Sequence, residues 1–390
     1  MGIVRKLFIS ICFGFLILPM TLFLLNINIQ TKLNGVIIKN DKPKIKFKEI
    51  LLGNYQSNYD KWFSDEVPFR SYMIKVYDQI VYSLGGEVNE IYRGKNGDLH
   101  GLFWLDNYLI NKMDSQVLGE YFSNIEYINK ELNRRGKKLF YIVTPNKAEV
   151  HDNTLPLKYR WIQKIKRERA ENRKKILEFL KKDEILYLDL TPLIESKELK
   201  GEKMFPKTGI HWNQLGAAYS LVEILKKMKE SGVDVQQVVR MNKRECNIPT
   251  FNETDYKELL NVYWSKGDGP YPSIELEYSN FLKKRPSVFA MTTSFSNTIV
   301  ELFFFEFGMP FERLERLHYN QHRSELYYVN GKLKGERRIP GIPMEKINYQ
   351  EILTSYDILI IEHPSTDVPE AHIQFARNFA NYLKKESNYK

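Results

Sequence analysis

The chain has 390 residues, which is enough for one large domain or two ordinary ones. Hydrophobic residues make up 43% of it and aromatic residues 13%, and these fractions exclude a disordered protein. The net charge of +10 would suit a nucleic-acid partner, but the 58 basic and 48 acidic residues are interspersed and no nucleic-acid-binding motif accompanies them. We therefore expect no nucleic-acid partner.

The N-terminus begins with an apolar run. Arg5 and Lys6 precede Leu7–Leu25, which is uncharged and long enough to cross the hydrocarbon core of a bilayer. A cleaved secretory signal is the alternative, but no small-x-small cleavage site follows the run. We therefore predict a transmembrane anchor at residues 1–28, followed by a lysine-rich linker at 29–50.

Beyond the linker, helix-like and strand-like segments alternate along the chain. Apolar residues at helical spacing indicate helices, and short apolar runs that end in turn residues indicate buried strands. The predicted elements are helices at 62–83, 115–135, 158–182, 214–230 and 367–385, strands at 137–147, 184–193 and 355–365, and a strand, turn and helix at 286–305. This alternation predicts an α/β fold with a mostly parallel sheet over residues 51–390, with a loop-rich insertion at about 233–280.

Ligands of such sheets bind outside the carboxyl ends of the strands, where several polar residues are predicted to meet. Asn146 and Lys147 follow the first predicted strand, and Glu362 lies at the end of the last one. Thr293 and Ser294 stand between a strand and a helix. A serine at such a turn can act as a nucleophile, while backbone N–H groups at the helix start hold an oxyanion.

The stretch KTGIHWNQLGAA, residues 207–218, contains the histidine that such a serine needs. His211 lies just before a predicted helix, and together with Ser294 it forms a candidate Ser–His pair. Structural explanations remain open for each residue. Ser294 fits an ordinary helix N-cap, His211 fits a residue that bonds to the backbone, and Trp212 fits a packing residue.

Five segments resemble, in order, the SGNH hydrolase-like domain of the alginate O-acetylation proteins AlgX and AlgJ. They are WFSDEVPFR (62–70), GKNGDLHGLF (94–103), YIVTPNKAEV with the following LP (141–156), LDLTPL (188–193) with KTGIHWNQLGAA, and SFS (294–296). The resemblance implies a flavodoxin-like, three-layer fold outside the cytoplasmic membrane, in a single-pass protein of the cell membrane. It also implies that Ser294 attacks the acyl group and that His211 serves as the base.

The same resemblance implies an activity and its partners. The expected reaction is O-acetyl transfer or ester cleavage on a cell-surface polysaccharide through a covalent acyl-enzyme. A membrane-bound O-acyltransferase is the expected acyl donor. No nucleotide or metal motif is visible, so no cofactor is expected. His318 and His322 have helical i, i+4 spacing but lack an intervening catalytic acid, and we interpret them as surface histidines.

Two positions depart from the pattern of that family. Its histidine motif reads Thr-Asp-x-His-Trp, with the aspartate orienting the histidine, and Gly209 stands here in place of that aspartate. Its serine motif commonly reads Gly-Asp-Ser, whereas this chain has Thr292-Thr293-Ser294. Loss of the orienting acid lowers the turnover of a serine protease by about ten-thousandfold. An acid from elsewhere must therefore serve, or the site works as a Ser–His dyad.

Glu362 is the predicted replacement for the missing acid, because strand ends converge on the site. Asp189 is the second candidate, although it also suits a cap for the turn at Thr191. Backbone N–H groups near the serine are predicted to hold the oxyanion, and an anionic sugar is one expected ligand. The residues predicted for oxyanion and substrate binding are Asn146, Lys147, Trp212 and Thr293.

Two other functions stay open at this point. Gly209 and Thr293 favour a catalytically impaired relative that binds glycan or acts as a scaffold in an export or acylation complex. A structural membrane-anchored protein without a glycan role is the third possibility. The basic helix at 158–182 fits a solvated surface, and an acidic polysaccharide or an anionic membrane surface are its alternative partners.

Overall fold

A computed structural model of the protein describes residues 2–35, 39–165, 170–182, 185–249, 253–265, 267–279, 285–304, 309–319, 322–329, 332–341 and 343–388. The chain divides into two compact units. The first comprises Met1–Arg93 with Tyr256–Lys266, and the second comprises Gly94–Asp255 with Gly267–Lys390.

The elements are numbered in chain order. The helices are α1 (Gly2–Leu24), α2 (Phe47–Leu51), α3 (Asn54–Glu66), α4 (Arg70–Ser83), α5 (Leu102–Leu109), α6 (Ser115–Arg134), α7 (Lys147–Val150), α8 (Leu157–Ile165), α9 (Asn172–Lys182), α10 (Thr191–Leu199), α11 (Gln214–Glu230), α12 (Asp255–Leu259), α13 (Phe295–Leu302), α14 (Tyr349–Ser355) and α15 (Glu370–Asn388). The strands are β1 (Ile91–Arg93), β2 (Leu99–Gly101), β3 (Lys138–Thr144), β4 (Tyr187–Asp189), β5 (Val238–Cys246), β6 (Tyr271–Tyr278), β7 (Ser287–Thr292), β8 (Arg313–His318), β9 (His322–Val329), β10 (Lys332–Pro340) and β11 (Ile358–Pro364).

A seven-stranded sheet forms the centre of the second unit, in the order β10-β9-β8-β7-β11-β3-β4. The strands from β8 to β4 run parallel to one another, and β9 and β10 continue the sheet in antiparallel pairing. The predicted α/β fold with a mostly parallel sheet is therefore confirmed. A separate antiparallel ribbon is formed by β5 and β6.

Alternate residues of the central strands face opposite sides of the sheet, as the two-residue period of a strand requires. On β3, Tyr141 and Val143 pack in one hydrophobic core, to which α6 and α15 contribute, whereas Phe140 and Ile142 pack in a second core with α11 and α13. Two buried cores, one on each face, give the three-layer arrangement that the sequence predicted. The carboxyl ends of the parallel strands therefore lie together at one edge of the sheet.

Several predicted helices need correction. The segment 158–182 forms two helices, α8 and α9, and residues 166–169 between them lie outside the described part of the chain. The segment 62–83 is divided between α3 and α4, and Pro68, which has no N–H to donate to a helix, lies at the break. His318 and His322, which have helical spacing in the sequence, instead lie opposite one another at the ends of β8 and β9. The interpretation of His318 as a surface residue is wrong, because its side chain is buried.

The predicted transmembrane anchor is wrong. The apolar N-terminal run forms α1, which contains Pro19. Among the residues that the structure describes, however, none of the helices combines the length and the apolar character needed to cross a membrane. The predictions of a single-pass membrane location and of membrane contact through residues 1–28 are therefore also wrong. The boundaries of the linker at 29–50 and of the insertion at 233–280 stay predictions.

Candidate active site

Ser294 lies in the short turn between β7 and α13, at the carboxyl edge of the sheet. It occupies the N-cap position of α13, but its side chain makes no capping hydrogen bond. Its Oγ instead lies 2.6 Å from Nε2 of His211. The ordinary N-cap explanation therefore does not account for this serine, whose hydroxyl is directed at the imidazole.

His211 is held next to Ser294 by aromatic packing beneath it. The buried Trp212 donates a hydrogen bond from Nε1 to the carbonyl oxygen of Phe295, at 3.1 Å. The Phe295 ring packs edge-to-face against both His211 and Trp212, with centroids 5.0 Å and 5.4 Å away. Trp212 therefore joins the histidine segment to the serine turn and is a packing residue, with no face open to a substrate.

Asp255, the first residue of α12, supplies a carboxylate to the other side of the imidazole. Its Oδ2 lies 2.8 Å from Nδ1 of His211, and its Oδ1 accepts a hydrogen bond from the backbone N–H of Ile210 at 2.7 Å. A carboxylate at Nδ1 favours the tautomer with the proton on Nδ1. Nε2 then keeps a lone pair for the hydroxyl proton of Ser294. Sequence reasoning missed Asp255, because it lies in a loop-rich segment without a recognisable pattern.

The rest of the histidine motif fixes the loop that presents His211. Asn213 caps α11 by accepting a hydrogen bond from the N–H of Gly216 at 3.0 Å, and its own N–H donates to the carbonyl of Met204 at 2.8 Å. A Cβ atom on Gly216 would lie 3.1 Å from that carbonyl and 3.0 Å from Cβ of Trp212. Glycine at this position therefore allows α11 to approach the loop closely.

Lys147, predicted to bind a sugar, is buried beneath the same loop. Its Nζ donates hydrogen bonds to the carbonyls of Pro206, Lys207 and Gly209 at 2.7, 2.9 and 2.9 Å. It also forms an ion pair with Asp98 at 2.9 Å. Its ammonium group thus replaces the backbone hydrogen bonds that an irregular loop lacks, and it holds the segment that precedes the histidine.

Asn146 is likewise committed to structural contacts. Its Nδ2 donates to the carbonyl of Trp104 at 3.1 Å and to Oγ1 of Thr366 at 2.7 Å, while its Oδ1 caps α7 by accepting from the N–H of Ala148. Both amide hydrogens already have acceptors, so Asn146 has none left for the predicted oxyanion contact.

Glu362, the predicted orienting acid, lies under the serine turn. Its carboxylate forms hydrogen bonds with other groups and not with His211. Oε2 accepts from the N–H of Thr293 at 2.8 Å, and Oε1 accepts from the hydroxyls of Thr293 and Thr144 at 2.8 and 2.9 Å. Because β11 lies between β3 and β7, its end meets the ends of those two strands, whereas the histidine enters from a loop outside the sheet. Burial raises the pKa of Glu362, although these hydrogen bonds oppose the rise.

Asp189, the second candidate acid, also serves other groups. Its Oδ1 accepts from the N–H of Thr191, and its Oδ2 is bound by the guanidinium of Arg173 at 2.6 Å. The cap that the sequence suggested for this aspartate is therefore present.

A tyrosine that sequence reasoning missed faces the nucleophile. Tyr319 follows β8, whose last residue, His318, lies opposite Thr292. Its phenol interacts with the side chain and the backbone of Ser294 and with Thr293, and burial raises its pKa. Tyr319 directly follows the end of β8, a strand that the sequence analysis did not recognise. Its φ of +46° places it in the left-handed region, which is uncommon for a residue other than glycine and recurs at functional sites.

A second histidine belongs to an ion-pair cluster that supports the loop. His151 Nδ1 lies 2.7 Å from Asp98 Oδ2, and its Nε2 lies 3.3 Å from Glu198 Oε1. Burial disfavours the charged imidazole, but the two carboxylates outweigh it and raise the pKa of His151 to about 9. Glu198 also accepts from the backbone N–H groups of Met204 and Phe205. Within the described residues, no group of three or more His, Cys, Asp or Glu side chains is arranged to hold a metal ion.

A mostly parallel sheet with a hydrophobic core on each face thus brings a serine at one strand-to-helix turn within hydrogen-bond distance of a histidine that precedes another helix. The family described as "SGNH hydrolase-like domain, acetyltransferase AlgX" matches residues 96–273, which confirms the resemblance over that region. His211 and Asp255 lie inside the matched region, and Ser294 lies beyond it.

Three solved structures are similar to this chain. The O-acetyltransferase domain of Pseudomonas putida AlgJ is 15% identical, with a TM-score of 0.42 over 75% of this chain and 99% of that one. Pseudomonas aeruginosa AlgX is 14% identical, with a TM-score of 0.46 over 74% and 67%. Bacillus cereus PatB1 is 12% identical, with a TM-score of 0.44 over 72% and 98%. No curated protein matches the chain significantly.

Proposed function

We propose that the chain is a serine-dependent O-acyltransferase that places acetyl groups on the hydroxyls of a polysaccharide, with hydrolysis of the acyl-enzyme as a side reaction. The observation that carries the proposal is the continuous contact from Ser294 Oγ to His211 Nε2 and from His211 Nδ1 to Asp255. The match to an acetyltransferase domain over residues 96–273 supports the choice of acyl group.

The first half-reaction loads the acyl group onto the protein. His211 Nε2 takes the hydroxyl proton of Ser294 as Oγ bonds to the acyl carbon of the donor. The resulting tetrahedral intermediate loses its alkoxide, which takes the proton from His211, and the acyl group remains on Oγ. Asp255 keeps the ring in position and stabilises the imidazolium that forms in between.

The second half-reaction transfers the acyl group to the acceptor. A sugar hydroxyl gives its proton to His211 Nε2 while its oxygen bonds to the acyl carbon. The intermediate then expels Ser294 Oγ, which recovers the proton from the imidazole. Water in place of the sugar gives ester hydrolysis by the same steps, so the acceptor decides between the two outcomes.

The negative oxygen of each tetrahedral intermediate needs donors close to Ser294. We assign this role to the backbone N–H of Ser294, at the start of α13, and to the phenol of Tyr319. Because its pKa is raised, the phenol keeps its proton and can donate it to the oxyanion. Neither donor comes from Asn146 or Thr293, whose polar hydrogens are bound elsewhere.

A catalytically impaired, glycan-binding scaffold is the alternative that Gly209 favoured. The argument for it was the missing orienting acid, and Asp255 occupies the position at Nδ1 that such an acid would take. The geometry therefore favours catalysis over the scaffold. A membrane-bound O-acyltransferase as the acyl donor remains a proposal that follows from the resemblance alone.

The test is ester cleavage by the purified full-length chain with p-nitrophenyl acetate, followed by acetyl transfer to soluble oligosaccharides monitored by mass spectrometry. We expect Ser294→Ala and His211→Ala each to lower the rate by about a thousandfold or more, with only the residual rate that oxyanion and substrate contacts sustain. Ser220→Ala is the matched control, because this buried serine bonds only to a helix carbonyl. Equal rates for the wild type and all three variants would contradict the proposal.

A further inference from the structure

Side chains on both faces of the serine turn, residues 293–297, fix its backbone. Glu362 accepts from the N–H of Thr293, and Trp212 donates to the carbonyl of Phe295. Arg316 acts through Ser296, whose Oγ accepts from the guanidinium and donates to the carbonyl of Thr293. The Ser294 hydroxyl differs from these neighbours, since its hydrogen bond goes to the imidazole. The turn is thus anchored on both sides of Ser294, whose own hydroxyl bonds to His211 and interacts with the phenol of Tyr319.

Glu362 provides the anchor next to the nucleophile. Both of its carboxylate oxygens are used, one by the N–H of Thr293 and the other by two hydroxyls, those of Thr293 and Thr144. The N–H of Thr293 belongs to the peptide unit immediately before that of Ser294. Glu362 is buried, so water does not compete for this hydrogen bond and the peptide plane is held in place.

Arg316 provides the opposite anchor. Its Nη1 donates to Ser296 Oγ at 2.7 Å and to Asn297 Oδ1 at 3.0 Å, and its Nη2 pairs with Glu336 at 2.7 Å. Ser296 Oγ in turn donates to the carbonyl of Thr293 at 2.8 Å. Arg316 is fully buried, and its positive charge offsets part of the rise that burial causes in the pKa of Glu362.

We propose that Glu362 is a positioning residue: its buried carboxylate fixes the peptide of Thr293 and thereby sets the distance from Ser294 Oγ to His211 Nε2. This inference rests on the proposed function for its kinetic readout. The carboxylate acts through the backbone and does not touch the substrate. Its place under the turn accounts for a buried acid near the end of β11, although Asp255 and not Glu362 contacts the histidine.

The test compares the wild type with Glu362→Gln and Glu362→Ala. Glutamine keeps the size of the side chain but removes the charge and replaces one acceptor oxygen with a donor. We expect Glu362→Gln to lower kcat for p-nitrophenyl acetate by about 10- to 100-fold, the effect of a small misplacement of a reacting group, with KM changed less than about twofold. Labelling of Ser294 by a fluorophosphonate probe should slow by a similar factor.

The matched control is Glu315→Gln, which neutralises another buried carboxylate of the same sheet. Glu315 lies within β8 and is bound by Arg313, Arg323 and Tyr356, away from the serine turn. We expect it to lower the melting temperature while kcat and the labelling rate stay unchanged. If both glutamine variants reduce labelling in proportion to their loss of stability, Glu362 is only structural and the proposal is overturned.

Hydrogen exchange gives a readout that does not depend on activity. Peptides that cover 292–297 should exchange faster in Glu362→Gln and Glu362→Ala than in the wild type, while α6 and α15 remain equally protected. Inactivity of the wild type toward every ester would defeat the proposed function, but the exchange result would still decide the positioning role. Unchanged exchange over 292–297 in both variants would overturn it.

Discussion

The carboxylate of Asp255 lies 2.8 Å from Nδ1 of His211, although 44 residues separate the two in the chain. A second oxygen of the same carboxylate holds the N–H of Ile210, so the aspartate is fixed to both the ring and the backbone beside it. Asp255 therefore supplies the carboxylate that the histidine motif lacks because of Gly209. Since this carboxylate comes from a different segment, Asp255 is the residue to mutate in a test of the mechanism.

Asp255→Asn should lower kcat by about a thousand- to ten-thousandfold with little change in KM, because an amide at this place favours the wrong tautomer of His211. Initial rates with p-nitrophenyl acetate measure the effect. Asp189→Asn is the control, since it removes the other candidate acid, which bonds to Arg173. A larger loss of kcat in Asp189→Asn than in Asp255→Asn would reverse the assignment.

Tyr319→Phe should lower kcat by about 10- to 100-fold, since one oxyanion donor typically contributes more than tenfold and the backbone N–H of Ser294 remains. The phenol that interacts with Ser294 is lost while the ring stays in place. The melting temperature and the KM should change little. Tyr72→Phe, on the surface of the other unit, is the control. Full activity of Tyr319→Phe would exclude the phenol from the oxyanion site.

Lys147→Met should destabilise the second unit by about 3 kcal/mol, because it leaves the buried carboxylate of Asp98 without its ammonium partner. It also frees the carbonyl of Gly209, two residues before the histidine, so kcat should fall as well. Urea unfolding and ester cleavage give the two quantities. Lys181→Met, in an exposed position of α9, should change neither. Undiminished stability of Lys147→Met would show that the ammonium group does not hold the loop.

His151 should make the free energy of unfolding depend on pH above neutrality. Its pKa is raised from 6.5 to about 9 in the folded protein, so its contribution is fully present below about pH 6.5 and is lost as the pH rises through about 9. Urea unfolding of the wild type from about pH 6 to pH 10 should show a loss of up to about 3 kcal/mol.

His151→Gln should remove that pH-dependent component. His100→Gln is the control, because burial lowers the pKa of His100 to about 3 and the residue stays neutral throughout this range. Parallel stability curves for the wild type and His151→Gln would mean that the imidazole is not charged in the folded state.

The layered fold could be predicted from the sequence because its strands are buried on both faces. Continuous apolar runs such as 138–144 and 358–364 carry that signal by themselves, and the helix of residues 214–230 was placed at its observed bounds. The segment 313–329 was not recognised. Its strands, β8 and β9, are paired on both sides, but their charged residues interrupt the continuous apolar run by which the other buried strands were recognised.

The candidate site could be predicted only where local sequence decides geometry. Ser294 and His211 each stand beside an element boundary, and the structure brings them within hydrogen-bond distance. Glu362 and Lys147 were assigned by residue type at a strand end, yet burial directs them to backbone groups rather than to the site surface. No local pattern marks Asp255, because its partner is set by tertiary packing.

The link between β5 and β6 is much longer than joining two antiparallel strands requires, since a turn of two to five residues would close such a ribbon. Residues 247–270 form that link, and Asp255 is part of it. Trimming the link to a tight turn would delete the acid, and with it the contacts that Asp268 makes to the N–H of Lys207 and that the carbonyl of Glu253 makes to the hydroxyl of Thr208. A motif that requires an acid two places before the histidine therefore passes over this chain, in which a distant loop carries the carboxylate at Nδ1.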